Sequence, residues 1–315
     1  MTSLPRYAYL GPAGTFTELA LRRIVGDAPV EDVPCVDVLT ALGSVRDGNA
    51  DFAVVAIENT VEGGVTATLD TLAAGSSLVI LGEVVLPVEF ELVARQGTSL
   101  SDITRIGCHS HAWAQCRRWA HAALPDVSFV AASSNAAGPT LLADLALSLD
   151  DVGFEAALAP PGSAERFGLE LLVDHVADNP HAATRFVRVG RPAAVPEPTG
   201  ADKTTLMVHL PTERAGALLE MLEQFAARGV NLSRIESRPI GDRPGEYSFS
   251  IDALGHVAEA RMAEVLIGLK RTCPHVVFLG SYPAANAPQT PIVPGTSNAD
   301  FESARAWVQG LRTTD

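Results

Sequence analysis

Lysine is nearly missing from this 315-residue chain: only Lys203 and Lys270 occur, and neither lies in the first 202 residues. A site in that region cannot form a lysine Schiff base, which excludes pyridoxal phosphate chemistry there. Positive charge is scarce in general. Residues 1–202 hold 12 arginines against 25 acids, and the whole chain carries a net charge of −14. An acidic chain without a basic stripe does not suit nucleic acid, and it gains no long-range steering of anionic substrates. Any anion site must be assembled locally, from arginine or from backbone N–H groups. Apolar runs are also short. None reaches the ~18 residues needed to span a bilayer, and the first residues lack a basic segment followed by an apolar stretch, so neither membrane insertion nor secretion is expected.

Cysteine is sparse as well. Cys35, Cys108, Cys116 and Cys273 include no CxxC pair of the kind that holds zinc or does redox work. The pattern suits reduced thiols in the cytoplasm rather than a disulfide scaffold. Cys108 and Cys116, on one expected helix, would stand about two turns apart and out of bridging range.

Hydrophobic residues make up 47 % of the chain, enough for real cores, and the length suits two modest domains. Residues 6–10 read as a strand ending at Gly11-Pro12-Ala13-Gly14, with a helix starting near Thr15 and either Thr15 or Thr17 as its cap. Phe52–Ile57 is a continuous apolar run, as in a strand buried on both faces. Further strands are expected near 78–86, 89–94, 104–107, 127–130, 153–158 and 184–189. Helical patterns at 110–123 and 135–147 fall between them. This alternation predicts an open α/β sheet.

A linker at 191–202, rich in proline, separates this part from a second unit at 203–282. There the order is strand 203–210, helix 214–228, strands 231–239 and 246–253 around the turn 241–245, helix 257–270 and strand 275–280. Such a βαββαβ series predicts a ferredoxin-like domain. Its nine basic and nine acidic residues balance. A tail, 283–315, ends in an amphipathic stretch at 300–312 that either docks on the body or frays.

Three segments carry chemistry. In Ala56–Val65 an apolar strand gives way to Glu58, Asn59 and Thr60, then Gly63-Gly64, then a helix. Such a turn is either an ordinary tight connection or a carboxylate site made of unpaired N–H groups. In the second, Cys108–Cys116, a strand is followed by a helix opening on His109 and His111, with Gln115 one turn on. The His-x-His pair lacks the carboxylates or thiols of a metal site, and a polar helix start fits better. In the third, Thr184, Arg185 and Phe186 follow one another at a strand start. Arginine can grip a carboxylate with two parallel hydrogen bonds. By strand alternation Arg185 points away from Thr184 and Phe186, and periodicity alone places Phe186 in the core.

Together these segments resemble the prephenate dehydratase family of the monofunctional bacterial type, over roughly residues 6–282. The matching pieces are Tyr9–Thr17, Ile57–Thr60 with Gly63-Gly64, the stretch 109–116 and Thr184-Arg185-Phe186. The small unit resembles an ACT domain, with Gly216-Ala217-Leu218 and Glu236-Ser237-Arg238-Pro239. The resemblance implies a two-lobed catalytic domain, like that of periplasmic binding proteins, at 1–190. Lobe one would take about 1–83 and 178–190, and lobe two about 84–177. It implies conversion of prephenate to phenylpyruvate with loss of water and CO₂, and no cofactor or metal. Thr184 would be catalytic. Asn59, Thr60, Gln115, Arg185, Phe186, Thr15 and Glu58 would bind substrate, with Glu58 an acid or only a strut. L-phenylalanine would bind as effector between ACT domains of a homodimer or homotetramer, at Gly216, Ala217, Leu218, Asn231, Leu232, Glu236, Ser237, Arg238 and Pro239. The chain departs from the family where His109-Ser110-His111 replaces His-Pro-Gln, at Cys108 and at Ala182, so those positions are not assigned to substrate. Two other readings stand: arogenate dehydratase, the same chemistry on an aminated side chain, and a non-catalytic amino-acid sensor.

Overall fold

The computed structural model of the chain describes residues 3–61, 63–74, 78–210, 214–239, 247–285, 289 and 291–312. It forms two compact units. One runs to Thr68 and resumes at Val84–Phe186; the other comprises Leu69–Glu83 and the chain from Val187 onward.

The chain opens with β1 (Arg6–Leu10), α1 (Phe16–Val25), β2 (Glu31–Cys35), α2 (Val38–Arg46) and β3 (Phe52–Asn59). Both β2 and β3 pair with β1 in parallel. A two-residue strand, β4 (Gly63–Gly64), folds back on β3. Gly63 sits at φ 82°, a left-handed conformation natural to glycine. Next come α3 (Thr66–Ala73) and β5 (Val79–Pro87). The completed sheet has the order β2-β1-β3-β11-β5, where β11 is Ala183–Gly190. Tyr7, Tyr9, Leu21, Val54 and Phe186 pack together against it, with Phe16 at the margin.

Residues between β5 and β11 build a second sheet. Its elements are β6 (Glu91–Ala94), β7 (Arg105–Cys108), α4 (Ser110–Ala123), β8 (Ser128–Ala131), α5 (Ala137–Ala143), α6 (Leu149–Val152), β9 (Ala156–Ala159), α7 (Ser163–Phe167) and β10 (Glu170–Val173), with strand order β10-β6-β9-β7-β8. Ala112, Cys116 and Ala120 of α4, four residues apart, share one helix face and are buried against Phe90, Leu92, Ile106 and Leu158. On the other side Leu142, Phe154, Ala157 and Leu169 form a separate core. The four cysteines are free and buried.

The third sheet comprises β12 (Asp202–His209), β13 (Leu232–Pro239), β14 (Tyr247–Leu254) and β15 (His275–Pro283), in the antiparallel order β13-β14-β12-β15. α8 (Ala217–Ala226) and α9 (Ala260–Thr272) complete the βαββαβ plan. Alternation decides the faces. Leu206, Val208, Phe249 and Ile251 pack on Met221, Phe225, Val265 and Leu269 of the helices. Neighbouring strand positions carry a buried polar net, in which Asp252 accepts from Thr205 Oγ1 at 2.7 Å and pairs with Arg234 at 2.9 Å. The tail forms α10 (Asn298–Arg312), which docks on α9: Asn298 Oδ1 accepts from the Ala260 N–H at 2.7 Å, and Arg305 pairs with Glu264 at 2.8 Å.

Several boundaries differ from expectation. The helix expected at 135–147 spans only Ala137–Ala143, and the one at 214–228 spans Ala217–Ala226 because Gly216, at φ 88°, is its N-cap. β2, α2 and β10 had no clear period. β2 is an edge strand that tolerates Pro34, which explains its weak signal. The turn at 241–245 and the start of its strand at 246 lie outside the described residues. Among the described residues no helix is long and apolar enough to cross a membrane.

Candidate active site

β3 ends where β11 begins, and the two are stapled together there. The Thr60 N–H donates to the Ala183 carbonyl, and the Ala183 N–H donates to Thr60 Oγ1, each at 2.9 Å. The Val65 N–H returns to the Ile57 carbonyl at 2.9 Å, and Thr68 Oγ1 donates to the Ala56 carbonyl at 2.6 Å. Thus the polar segment after the apolar strand is a rigid platform, not a loose turn.

Thr184 stands on this platform, half-buried. Asn59 Nδ2 donates to its Oγ1 at 2.8 Å, while Asn59 Oδ1 accepts the Val61 N–H at 2.8 Å. The second bond fixes which end of the amide faces Thr184. With a lone pair of Oγ1 occupied by a donor, the Thr184 hydroxyl proton is directed elsewhere, and it makes no hydrogen bond among the described residues. A hydroxyl so placed can donate to a leaving oxygen.

Arg185 and Phe186 have other positions. Arg185 Nε donates to Glu58 Oε2 at 3.0 Å, with 6 % of the arginine side chain and 36 % of the glutamate side chain exposed. Alternation along β11 turns Arg185 from Thr184, as expected, and Glu58 meets it there. Phe186 is buried among Tyr7, Tyr9 and Val54. Its ring is a core element beneath the site. Gln115 lies on α4; its carbonyl accepts the Asp178 N–H at 2.7 Å, while its Oε1 is buried and unpaired. Thr15 is the N-cap of α1 but makes no side-chain cap. Its Oγ1 donates back to the Leu10 and Pro12 carbonyls, at 3.2 and 3.1 Å, tightening the loop before the helix.

Between the two lobes of this unit lies a cavity of about 570 Å³. Its walls are the loops after β1 and β2 from one lobe, and His109 with Ser133–Asn135 from the other. All of these follow the carboxyl ends of strands, where open α/β sheets take their ligands. Arg166 of α7 reaches across to Glu18 of α1 at 2.8 Å, and the Gly14 N–H donates to the same carboxylate at 2.6 Å. Sequence reasoning passed over Ser133, Ser134 and Asn135. The available signal was their place after one expected strand and before the next expected helix. His109 caps α4, its Nδ1 accepting the His111 N–H at 3.3 Å, which bears out a helix-start role. Burial pushes the Cys108 thiol up to about 12, so it is no nucleophile.

The expected effector residues fall on two elements of the third sheet's unit. Gly216 and Ala217 open α8, with Leu218 exposed beside them. Asn231 precedes β13, an edge strand along which Leu232, Glu236, Ser237, Arg238 and Pro239 follow. Glu236 lies between Arg234, at 3.2 Å, and Arg238, at 3.6 Å. Arg238 also clamps Asp70 of α3 with two hydrogen bonds, of 2.8 and 3.1 Å.

The model of the prephenate dehydratase family matches residues 7–194. The prephenate dehydratase of Amycolatopsis methanolica is 42 % identical over 98 % of this chain and 98 % of its own. That of Corynebacterium glutamicum is 43 % identical over 96 % of this chain and 95 % of its own. The crystal structure of prephenate dehydratase from Arthrobacter aurescens in complex with L-Phe superposes with a TM-score of 0.91 at 52 % identity, covering 98 % of this chain and all of that one.

Proposed function

The chain belongs to the prephenate dehydratase family, and we propose that it converts prephenate to phenylpyruvate as a lyase under control by phenylalanine. The Asn59–Thr184 pair carries this reading.

Prephenate bears a carboxylate and an oxo-acid arm on one ring carbon, and a hydroxyl on the carbon opposite. When the bond to the ring carboxylate breaks, its electrons enter the ring and CO₂ leaves. The hydroxyl departs from the far side with a proton, as water, and the ring becomes aromatic. Aromatisation supplies the driving force, so the residues need only hold the dianion and ease the hydroxyl away. Thr184 donates its hydrogen bond to the departing oxygen, and Asn59 holds Thr184 in the orientation for that donation. A free threonine is too weak an acid to deliver a proton alone; solvent completes the water. Thr60 anchors the platform. Arg185, tied to Glu58, stiffens it from behind, so Glu58 is a strut.

In this reading residues 1–190 form the catalytic domain, with lobes at about 1–83 with 178–190 and about 84–177. Residues 191–202 are a linker, 203–282 an ACT regulatory domain and 283–315 a tail. Phenylalanine binds where the α8 entrance and β13 meet a second ACT domain in a homodimer or homotetramer; that the crystallised relative is in complex with L-Phe supports phenylalanine as the effector. The protein works in the cytoplasm.

Thr184→Ala tests the chemistry. With the fold intact, kcat for phenylpyruvate formation should fall roughly 10²–10⁴-fold. A folded variant with near-normal kcat would refute the role given to Thr184.

A further inference from the structure

The two lobes of the first unit are joined through their crossover segments. There the Val88 N–H donates to the Ala182 carbonyl at 2.8 Å, and the Val176 N–H to the Phe90 carbonyl at 3.0 Å. These segments extend β5 and β11, which lie together at one edge of the first sheet. A polar joint between the lobes lies elsewhere. It starts from α1, which follows β1. β3 separates β1 from β11, so about 10 Å of sheet stands between β1 and the nearer crossover strand.

At this joint Glu18 of α1 meets Arg166 of α7. Arg166 Nη1 donates to Glu18 Oε2 at 2.8 Å and Nη2 to Oε1 at 3.4 Å, a two-pronged contact. Only 6 % of the Glu18 side chain is exposed, and a carboxylate so buried needs donors around it. The Gly14 N–H supplies another at 2.6 Å, and Arg22 stands 3.6 Å away. A glutamate in the first turn that reaches back to the chain before the cap is a local helix-start device. That device accounts for Gly14 but not for a cation brought from the other lobe. α7 is itself held to the second sheet, because Glu91 of β6 accepts the Gly162 and Ala164 N–H groups at 3.1 and 2.7 Å. Arg166 is therefore presented to Glu18 from a fixed position. Packing backs the ion pair: a β-carbon on Gly14 would stand 3.0 Å from Phe167 Cζ and 3.2 Å from Ala136 Cβ, both of the second lobe.

We propose that Glu18 and Arg166 are positioning residues that clasp the two lobes, opening to admit substrate and closing to hold the Gly11–Thr15 loop against it. That loop lines the cavity through Gly11, Pro12 and Thr15, and Glu18 fixes it through Gly14. Arg166 keeps 43 % of its side chain exposed, so water replaces its contacts as the pair separates. Because the clasp is remote from the crossovers, its release changes the spacing of the lobes while the crossover strands stay paired, as in a hinge. This inference rests on the reading of the chain as a dehydratase and deepens it, by naming what holds the cavity shut around the substrate.

The test has two readouts on the full chain, with thermal melts to confirm folding. For the first, spin labels go on Leu39→Cys in α2 and Leu145→Cys after α5, exposed positions in different lobes. The four native cysteines are buried, so the labels attach to the introduced pair. Pulsed electron resonance should show a longer or broader distance distribution once Arg166→Met is added. For the second, unlabelled Arg166→Met should raise KM for prephenate about 3–30-fold, as the closed fraction falls by that factor, with kcat within about threefold because Thr184 is untouched. Glu18→Gln, which keeps an acceptor for Gly14, should do the same, and the double variant should add little to either single one. Arg166→Lys, with the charge but not the fork, should recover part of the loss. Equal label distances with and without Arg166→Met would overturn the clasp. So would a fall in kcat with KM unchanged, or effects of the two substitutions that simply add. A wild type inert on prephenate would instead overturn the dehydratase reading, and the label distances would still decide the clasp.

Discussion

Replacing Glu58 with glutamine separates two roles that a carboxylate beside a catalytic threonine can play. Glu58 Oε2 accepts from Arg185 Nε at 3.0 Å. At an effective dielectric constant near 20, a contact of this length is worth about 5 kcal/mol of gross Coulomb attraction. Glu58 keeps 36 % of its side chain exposed, against 6 % for Arg185. Screening, desolvation and side-chain entropy then leave a net of about 1–2 kcal/mol. The melting temperature of Glu58→Gln should drop by about 2–8 °C, taking roughly 2–4 °C per kcal/mol for a chain of this size. Its kcat should stay within about threefold of wild type, because no proton passes through Glu58. Arg185→Met should lose similar stability, and the double variant should fall short of the sum by about 1–2 kcal/mol. The assay pairs melting curves with the absorbance of phenylpyruvate formed from prephenate. An unchanged melt with a 10²-fold loss of kcat would mean that Glu58 is an acid and that the strut argument is wrong.

Other expectations follow from the same geometry. Burial opposes ionisation of Glu155, but the Arg105 side chain and the N–H groups of Thr104 and Arg105 outweigh it and hold the carboxyl below its ordinary value. The folded form therefore binds that proton less readily, and the stabilisation is full above the unfolded value of about 4.3 and fades as pH falls through the folded one. Glu155→Gln should cost about 1–3 kcal/mol at pH 7 and much less near pH 3, which urea midpoints at both pH values will report. A β-carbon on Gly107 would lie 2.5 Å from the Phe154 ring, so Gly107→Ala should lower the unfolding free energy by about 1–3 kcal/mol through overpacking, read as a lower urea midpoint. Because Asp70 is 58 % exposed, Arg238→Ala should cost under about 1 kcal/mol in stability. It should nevertheless weaken phenylalanine inhibition by roughly 5–150-fold, read by titrating the effector into the assay.

Local signals carried far in this chain. The continuous apolar run at 52–57 located β3, and the alternation of Tyr247, Phe249 and Ile251 located β14, because burial of strand faces constrains all residues or every second one. The helix expected at 110–123 is α4 itself, since Ala112, Cys116 and Ala120 must share one face. Where burial is slight the signal fails: β10 alternates weakly and pairs at one edge of its sheet. Loops that gain meaning only by meeting another loop were equally silent, which is why Asn135 passed unnoticed.

The order of elements, the scarcity of cations and the hydroxyl at position 184 are properties of the chain alone. They predict an α/β scaffold without a lysine Schiff base in the first 202 residues, whose anion sites must be built locally. Tertiary structure alone decided that Asn59, 125 residues away, hands its amide to Thr184. It also decided that Arg185 serves Glu58 and that Phe186 fills the core. Partners distant in sequence are chosen by strand pairing, and pairing depends on register across the sheet, which no local period encodes.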